Sequence, residues 1–357
     1  MTSRLSGLDG LRGAAALIVV ALHACECMGW PVFIHGYLMV DLFFLLSGFV
    51  LSAGYGERLA QGGAGGWFVG KRLVRLYPLA FVGLALGFAV SLTLAASVGS
   101  AMPAAAPVKF ALGALFLPSL AGGLISPFNG PAWSLQLELW VNVLYGAVAK
   151  VLSDRRLAAL AGAAAIALIA ASLATGRFEG GFANNDPGRS AGPAAYLVGW
   201  ARVLFAFPLG ILLHRLWGRG SLSALSARSA WLAPAVLLMV ALPIVRLPVA
   251  YDLASVFLLF PVLLILAANA VPTGFTAAVF AYLGRLSYGL YVLHGPILVA
   301  AKYTAPAGTP ALRLGWYGVA VVLSVCAAAL AEHFIDRPAR RWSSRRTETR
   351  NLRAIGL

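Results

Sequence analysis

Apolar runs long enough to cross or nearly cross a bilayer recur along the whole chain, at residues 10–28, 37–55, 78–98, 107–125, 133–150, 157–174, 194–214, 230–246, 251–270, 277–300 and 314–335. A hydrocarbon core about 30 Å thick takes roughly 20 helical residues to span. Inside lipid each backbone N–H and C=O must find its partner within the segment, so such runs become helices. With 61% hydrophobic and only 11% charged residues in 357, too little polar surface exists to solvate a globular domain. The sequence therefore predicts an all-α polytopic integral membrane protein, about ten transmembrane helices around a central cavity.

The placement of basic residues orients the chain. Lys and Arg collect in cytoplasmic loops, and the Gly-rich link 56–78, the patches Lys150/Arg155/Arg156 and Arg215/Arg219/Arg228, and the Arg-rich end all fall on one side if the N-terminus starts there. Six of 27 basic residues (Lys109, Arg177, Arg189, Arg246, Lys302 and Arg313) fall on the other side. Counting 107–125 as a full span inverts everything after it, and Pro118, Gly122 and Gly123 interrupt it. That segment is expected to be short or re-entrant. The expected organisation is one transmembrane domain over 1–336 and a basic cytoplasmic tail over 337–357. Both termini face the cytoplasm, and the chain is a multi-pass protein of the inner (plasma) membrane.

A net charge of +15 usually raises the question of nucleic acid. Here the cations lie between apolar runs, where lipid headgroups are their natural partners, and no basic stretch is interleaved with aromatics; no nucleic-acid partner is expected. Cys25, Cys27 and Cys326 form no disulfide framework. His23, Cys25, Cys27 and His35 can be drawn as a metal site, but C-x-C spacing suits zinc poorly and cysteines in apolar helices are mostly small core residues; no metal is expected. The box Leu22-His23-Ala24-Cys25 resembles a lipoprotein cleavage site. Asp9 and Arg12 shorten the apolar core before it, so the segment is expected to be retained.

Ionisable groups inside a membrane are costly and mark sites or pathways. Arg12 and His23 lie eleven residues apart on the first helix, a rise of about 16 Å that returns to nearly the same face. Histidine titrates near neutral pH and is the usual general base; the plainer reading is a snorkelling Arg and a capping His. Arg72 and Arg75, one turn apart after Lys71 and before Tyr77, can grip a phosphate or anchor a helix to anionic lipid. Glu138, after Trp133 and Ser134, requires a partner, with His23 or Arg12 the candidates. Asp41, beside Phe43 and Phe44, is a second buried acid for the same cations. Ser47-Gly48 suits close helix packing, and Ser287, Tyr288, Tyr291 and His294 share one helix. His214, beside Arg215, reads as interfacial.

Together these motifs resemble acyltransferase family 3, integral-membrane acyltransferases that decorate envelope and secreted carbohydrates. The resemblance rests on the Arg12-to-His23 spacing and on Val40-Asp41-Leu-Phe43-Phe44-x-x-Ser47-Gly48-Phe49. It rests also on Lys71-Arg72-x-x-Arg75-x-Tyr77-Pro78, Trp133-Ser134-Leu135-x-x-Glu138 and Gly284-x-x-Ser287-Tyr288-x-x-Tyr291-x-x-His294-x-Pro296. It implies ten spans and a cytoplasmic acyl-CoA donor, usually acetyl-CoA, used as a substrate with no permanently bound cofactor. The implied acceptor is a carbohydrate or glycolipid hydroxyl at the outer face. By that similarity His23, as base or transient acyl carrier, Arg12 and Glu138 are the catalytic candidates, and Lys71, Arg72, Arg75 and Tyr77 contact acyl-CoA. Asp41, Ser47, Trp133, Ser134, Ser287, Tyr288 and His294 support the site. Two positions depart from the pattern: Lys71 stands where Arg is common, and Asp336 stands where Glu usually precedes Arg-Pro. The same buried charges would also serve a transporter or lipid-linked flippase, which consumes no acyl-CoA. No signal for an oligomeric state is present.

Overall fold

The computed structural model describes residues 5–120, 124–178, 192–226, 229–245 and 247–343. The polar loop and most of the basic tail expected from the sequence lie outside these residues, as do Gly122, Gly123, Arg189, Arg228 and Arg246. The described chain is helical throughout, and seven of its helices are long and apolar enough to cross a membrane. Among the described residues the α-helices are, in order, α1 (Ser6–Met28), α2 (Met39–Ala60), α3 (Gly65–Ser97), α4 (Ala106–Ala114), α5 (Trp133–Val148), α6 (Asp154–Thr175), α7 (Pro193–Gly218), α8 (Leu232–Ala241), α9 (Val249–Ala254), α10 (Phe260–Asn269), α11 (Gly274–Tyr303) and α12 (Pro310–Ala331). A π turn at Ser255–Leu259 joins α9 to α10, and a second, Glu332–Asp336, continues α12.

Every apolar run from the sequence has a helical counterpart, and the broken 107–125 run supplies only the nine-residue α4. The seven are α1, α2, α3, α6, α7, α9 joined to α10, and α12 with its continuation; α5 and α8 have only 16 and 10 residues, and the 30-residue α11 also stands outside the seven. The largest departure is α3. The sequence places its start at Pro78 behind a Gly-rich loop, whereas the helix begins at Gly65 and carries Lys71, Arg72 and Arg75 within it. Gly65 serves close packing here: a Cβ on it would stand 2.4 Å from the Gly146 carbonyl oxygen. Pro78 lies in the helix interior, which neighbouring helices make tolerable in membrane proteins.

Two helix pairs organise the interior, α1 against α11 and α2 against α7. On α1, Gly10 faces the Phe280 ring and Gly13 faces Leu283, while Gly284 of α11 lies against Asp9. In lipid no hydrophobic force pulls helices together, so backbone approach over small residues does that work. Burial grades outward from this centre. In the segment containing α2, 72% of the most apolar stretch is buried, against 17% for α3 and 28% for α6. Side chains such as Ile166 and Leu173 of α6 accordingly face outward.

The α2–α7 crossing gives a direct test. A Cβ at Gly48 would stand 2.0 Å from the Phe207 carbonyl oxygen, and one at Gly210 would stand 2.2 Å from that of Leu45. Overpacking a close contact costs about 1–3 kcal/mol. Gly48→Ala is expected to lower the thermal midpoint of the detergent-solubilised protein by several degrees. Gly54→Ala on the same helix, with nothing within 4 Å, should not. Equal midpoints for the two variants would show that this contact does not limit stability.

Candidate functional site

α1, α2, α3, α5 and α11 converge on a cavity of about 140 Å³, many times the ~10–15 Å³ that one water needs. One part of its wall is apolar, with Phe43, Phe44, Leu46 and Val50 of α2 and Leu76 of α3; the other carries Arg12, Arg72, Arg75, Glu138 and Tyr288. Helical periodicity explains the convergence, because Arg72, Arg75 and Leu76 fall on one stripe of α3 and Ser287, Tyr288 and Tyr291 on one stripe of α11.

The cations are held but not saturated. Arg72 Nη2 donates to Glu138 Oε1 at 3.1 Å, and the Ser47 hydroxyl donates to the same oxygen at 3.0 Å. Arg75 pairs with Asp336 on the π turn beyond α12, its guanidinium 5.0 Å from the Tyr288 ring centre. Arg12 lies 3.5 Å from Asp9. The lining thus holds three guanidiniums and one carboxylate. Arg72 Nε is buried with no hydrogen-bond partner among the described residues. A buried charged donor left unmade is costly, and an anion entering the cavity would satisfy it. Ser287 lines the same space and donates its hydroxyl to Gly284. Tyr288 donates to the Leu76 carbonyl at 2.5 Å.

His23 is not part of that lining. Its Nδ1 lies 3.0 Å from Nε2 of His294 on α11, with ring centres 5.1 Å apart. His294 in turn neighbours Tyr291, ring centres 6.0 Å apart, and Tyr291 does face the cavity. The Tyr291 and Ser134 hydroxyls are 2.6 Å apart. Arg12 and the histidine pair are therefore linked through the wall of one chamber, with Tyr291 between.

Two expected partnerships are corrected. Glu138 pairs with Arg72 and Ser47 rather than with His23 or Arg12. Asp41 pairs with none of the expected cations. It receives Arg202 of α7 in a fork, Nε to Oδ1 at 3.0 Å and Nη2 to Oδ2 at 2.6 Å, both side chains almost wholly buried. The Arg202 guanidinium also lies 5.4 Å from the ring centre of Trp133, whose ring meets Phe44 edge-on. A lone Arg inside the 194–214 run is itself a signal, and it was the feature that sequence reasoning missed.

The two remaining donor-site candidates lie off the cavity lining. Lys71 Nζ donates to the Ser343 carbonyl, which ties α3 to the helical continuation of α12. Tyr77 is 39% exposed and stacks on Phe81; it faces a smaller recess shared with Phe116 and Gln136.

His35 joins neither Cys25 nor Cys27. Its Nδ1 lies 2.6 Å from Asp252 Oδ1, Tyr37 donates to Oδ2 at 2.5 Å, and the Leu247 backbone N–H donates to His35 Nε2 at 3.2 Å. Both ring nitrogens are thereby engaged, so this dyad fastens the start of α9 and has no lone pair left for chemistry. His214 accepts or donates at Ser52 Oγ, 2.9 Å away. Among the described residues no three His, Cys, Asp or Glu side chains gather as a metal site.

Comparison with known proteins follows the same lines. A family model described as "Acyltransferase domain" matches residues 5–333. "Acyltransferase MdmB" of Streptomyces mycarofaciens is 28% identical over 96% of this chain and 93% of its own. "Protein 2 in picA locus" of Rhizobium radiobacter is 42% identical over 39% of this chain and 78% of its own. No solved structure matches.

The buried Arg202–Asp41 fork makes an asymmetric prediction. Removing one partner strands a charge at a cost of about 3–5 kcal/mol, whereas removing both with apolar replacements is close to neutral. Arg202→Met should therefore unfold well below the native protein, and the double variant Asp41→Leu/Arg202→Met should recover most of the loss. A double variant no better than the single one would mean that the pair does more than neutralise itself.

Proposed function

The chain belongs to acyltransferase family 3, and from that premise we propose that it transfers an acyl group, acetyl by default, from acyl-CoA to a hydroxyl of a carbohydrate or glycolipid. A transporter or flippase using the same charges, the alternative open from sequence, is not carried forward, because the family match over residues 5–333 supports a transferase. The observation that carries the donor assignment is the positive cavity wall with an unsatisfied donor on Arg72. A phosphorylated donor supplies what that nitrogen lacks, and guanidiniums bind phosphate in bidentate fashion.

In this reading the CoA phosphates sit at Arg72 and Arg75, and Arg12 adds charge on the path inward. Glu138 and Asp336 hold the two cations in place until the phosphates arrive. The long pantetheine arm then follows the apolar wall of Phe43 and Phe44 toward His23, spanning the rise of about 16 Å between Arg12 and His23. Tyr291 closes the cavity on that side, and its displacement admits the thioester. The acceptor hydroxyl gives its proton to His23 as its oxygen bonds to the thioester carbonyl carbon. The C–S bond then breaks, and the departing CoA thiolate takes the proton back. Cytoplasmic acyl-CoA places the arginine end and both termini at the cytoplasmic face of the inner membrane, and the histidine pair toward the acceptor side.

Membranes carrying the protein, incubated with labelled acetyl-CoA, should pass label to glycan. General-base catalysis is worth about 10²–10⁴ in rate, so His23→Ala should lower turnover by that factor with normal membrane insertion. Arg72→Met should instead raise the KM for acetyl-CoA and leave more of the turnover intact. Full activity in His23→Ala removes the base assignment; an unchanged KM in Arg72→Met removes the donor site.

A further inference from the structure

The histidine pair carries more information than its distance, because its hydrogen bonds fix which nitrogen holds which proton. His294 is wholly buried, and its Nδ1 lies 2.9 Å from the Leu290 carbonyl oxygen, one turn back on α11. A carbonyl only accepts, so Nδ1 of His294 must carry the hydrogen. Neither ring contacts a carboxylate among the described residues, and an unpaired imidazolium buried there would be strongly disfavoured. His294 is therefore neutral, and its Nε2 presents a lone pair. Among the described residues the nitrogen facing that lone pair is Nδ1 of His23 at 3.0 Å, which must donate. What remains on His23 is an unprotonated Nε2, on the one member of the pair that is not fully buried.

We propose that His294 is the positioning residue of the transfer: anchored on the Leu290 carbonyl, it selects the His23 tautomer whose Nε2 lone pair takes the acceptor proton. This rests on the reading of His23 as the base. The relay Leu290 C=O, His294, His23 orders protons as the acid of a Ser–His–Asp triad does, by holding the far nitrogen of the base protonated. The difference is that its orienting member is neutral. When His23 takes the hydroxyl proton at Nε2, the new imidazolium keeps its Nδ1–H bond to His294 Nε2. The charge thus forms against an acceptor already in place. In the opposite tautomer, with hydrogen on Nε2, the His23 lone pair would lie on Nδ1 and face His294, leaving none at Nε2 to take the proton.

The full chain, labelled with ¹⁵N-histidine and reconstituted in lipid, tests this directly, since it contains five histidines and ring ¹⁵N shifts separate protonated from bare nitrogens. The His23 signals, identified by their loss in His23→Ala, should show a protonated Nδ1 and a bare Nε2. In His294→Leu that preference should be lost. Turnover should fall about 10²-fold or more with the KM for acetyl-CoA within about twofold, the mark of a defect confined to the chemical step. His294→Gln, whose amide oxygen can stand where Nε2 stands, should restore most of the turnover and the Nδ1–H form. The proposal is overturned if the native protein shows His23 protonated at Nε2, or if His294→Leu turns over normally while His23→Ala is dead. Full activity in His23→Ala would instead sink the underlying reading of the base.

Discussion

Charge confined in a low-dielectric interior is the constraint on which the rest of this structure depends. An ion inside a membrane protein needs a neutralising partner, and among the described residues several such pairings bridge helices distant in sequence. Arg202 on α7 locks to Asp41 on α2, Arg72 on α3 to Glu138 on α5, and Arg75 on α3 to Asp336 beyond α12. Each pair serves as a crosslink whose failure strands a charge, so the pairs set register between helices that lipid alone would leave free to slide. Glycine contacts then set how closely those helices approach. The cavity is the space that these two demands leave between α1, α2, α3, α5 and α11.

The pairs differ in what they leave over. The Asp41–Arg202 fork uses both carboxylate oxygens, and the His35–Asp252–Tyr37 cluster uses both ring nitrogens. Both are closed arrangements suited to fastening the bundle. At the cavity, by contrast, Glu138 Oε1 receives Arg72 and Ser47 while Arg72 Nε stays unmatched. That residue of unspent hydrogen-bonding capacity separates a binding wall from a structural bolt, and it would not be visible from the identities of the residues.

Sequence reasoning reached the helix order, the broken segment at 107–125 and the individual candidates Arg12, Arg72, Arg75 and Glu138, because hydrophobic period and intramembrane charge are both written locally; it set Arg12 and Glu138 with His23 and the other two with Lys71 and Tyr77, whereas one cavity holds the four. Partner choice was not legible. Glu138 had Arg12 and His23 as plausible partners, and nothing in spacing says that α3 rather than α1 lies against it. The start of α3 was obscured because Gly65, Gly66 and Pro78 signal loops in water, whereas here Gly65 packs closely on Gly146 and Pro78 lies inside the helix. Arg202 was legible as a buried cation and passed over; Asp252, at the head of its apolar run, gave the weaker form of the same signal. His294 was visible as a polar residue on α11, but its link to His23 is tertiary.

The two histidine sites differ in the charge of the partner each ring meets. His35 meets an acid and His23 meets a neutral ring. A carboxylate beside His23 would leave a permanent buried anion at rest, needing its own cation in the path of donor and acceptor. A neutral partner leaves the resting pair uncharged, so no counter-ion obstructs the space between Tyr291 and the far end of α1. With His23 as the proposed base, charge would arise on this pair only while a proton is in transit. That economy is available only where the partner's own proton is pinned by the backbone. The Leu290 carbonyl supplies this for His294, and the helical turn beneath it makes the arrangement rigid.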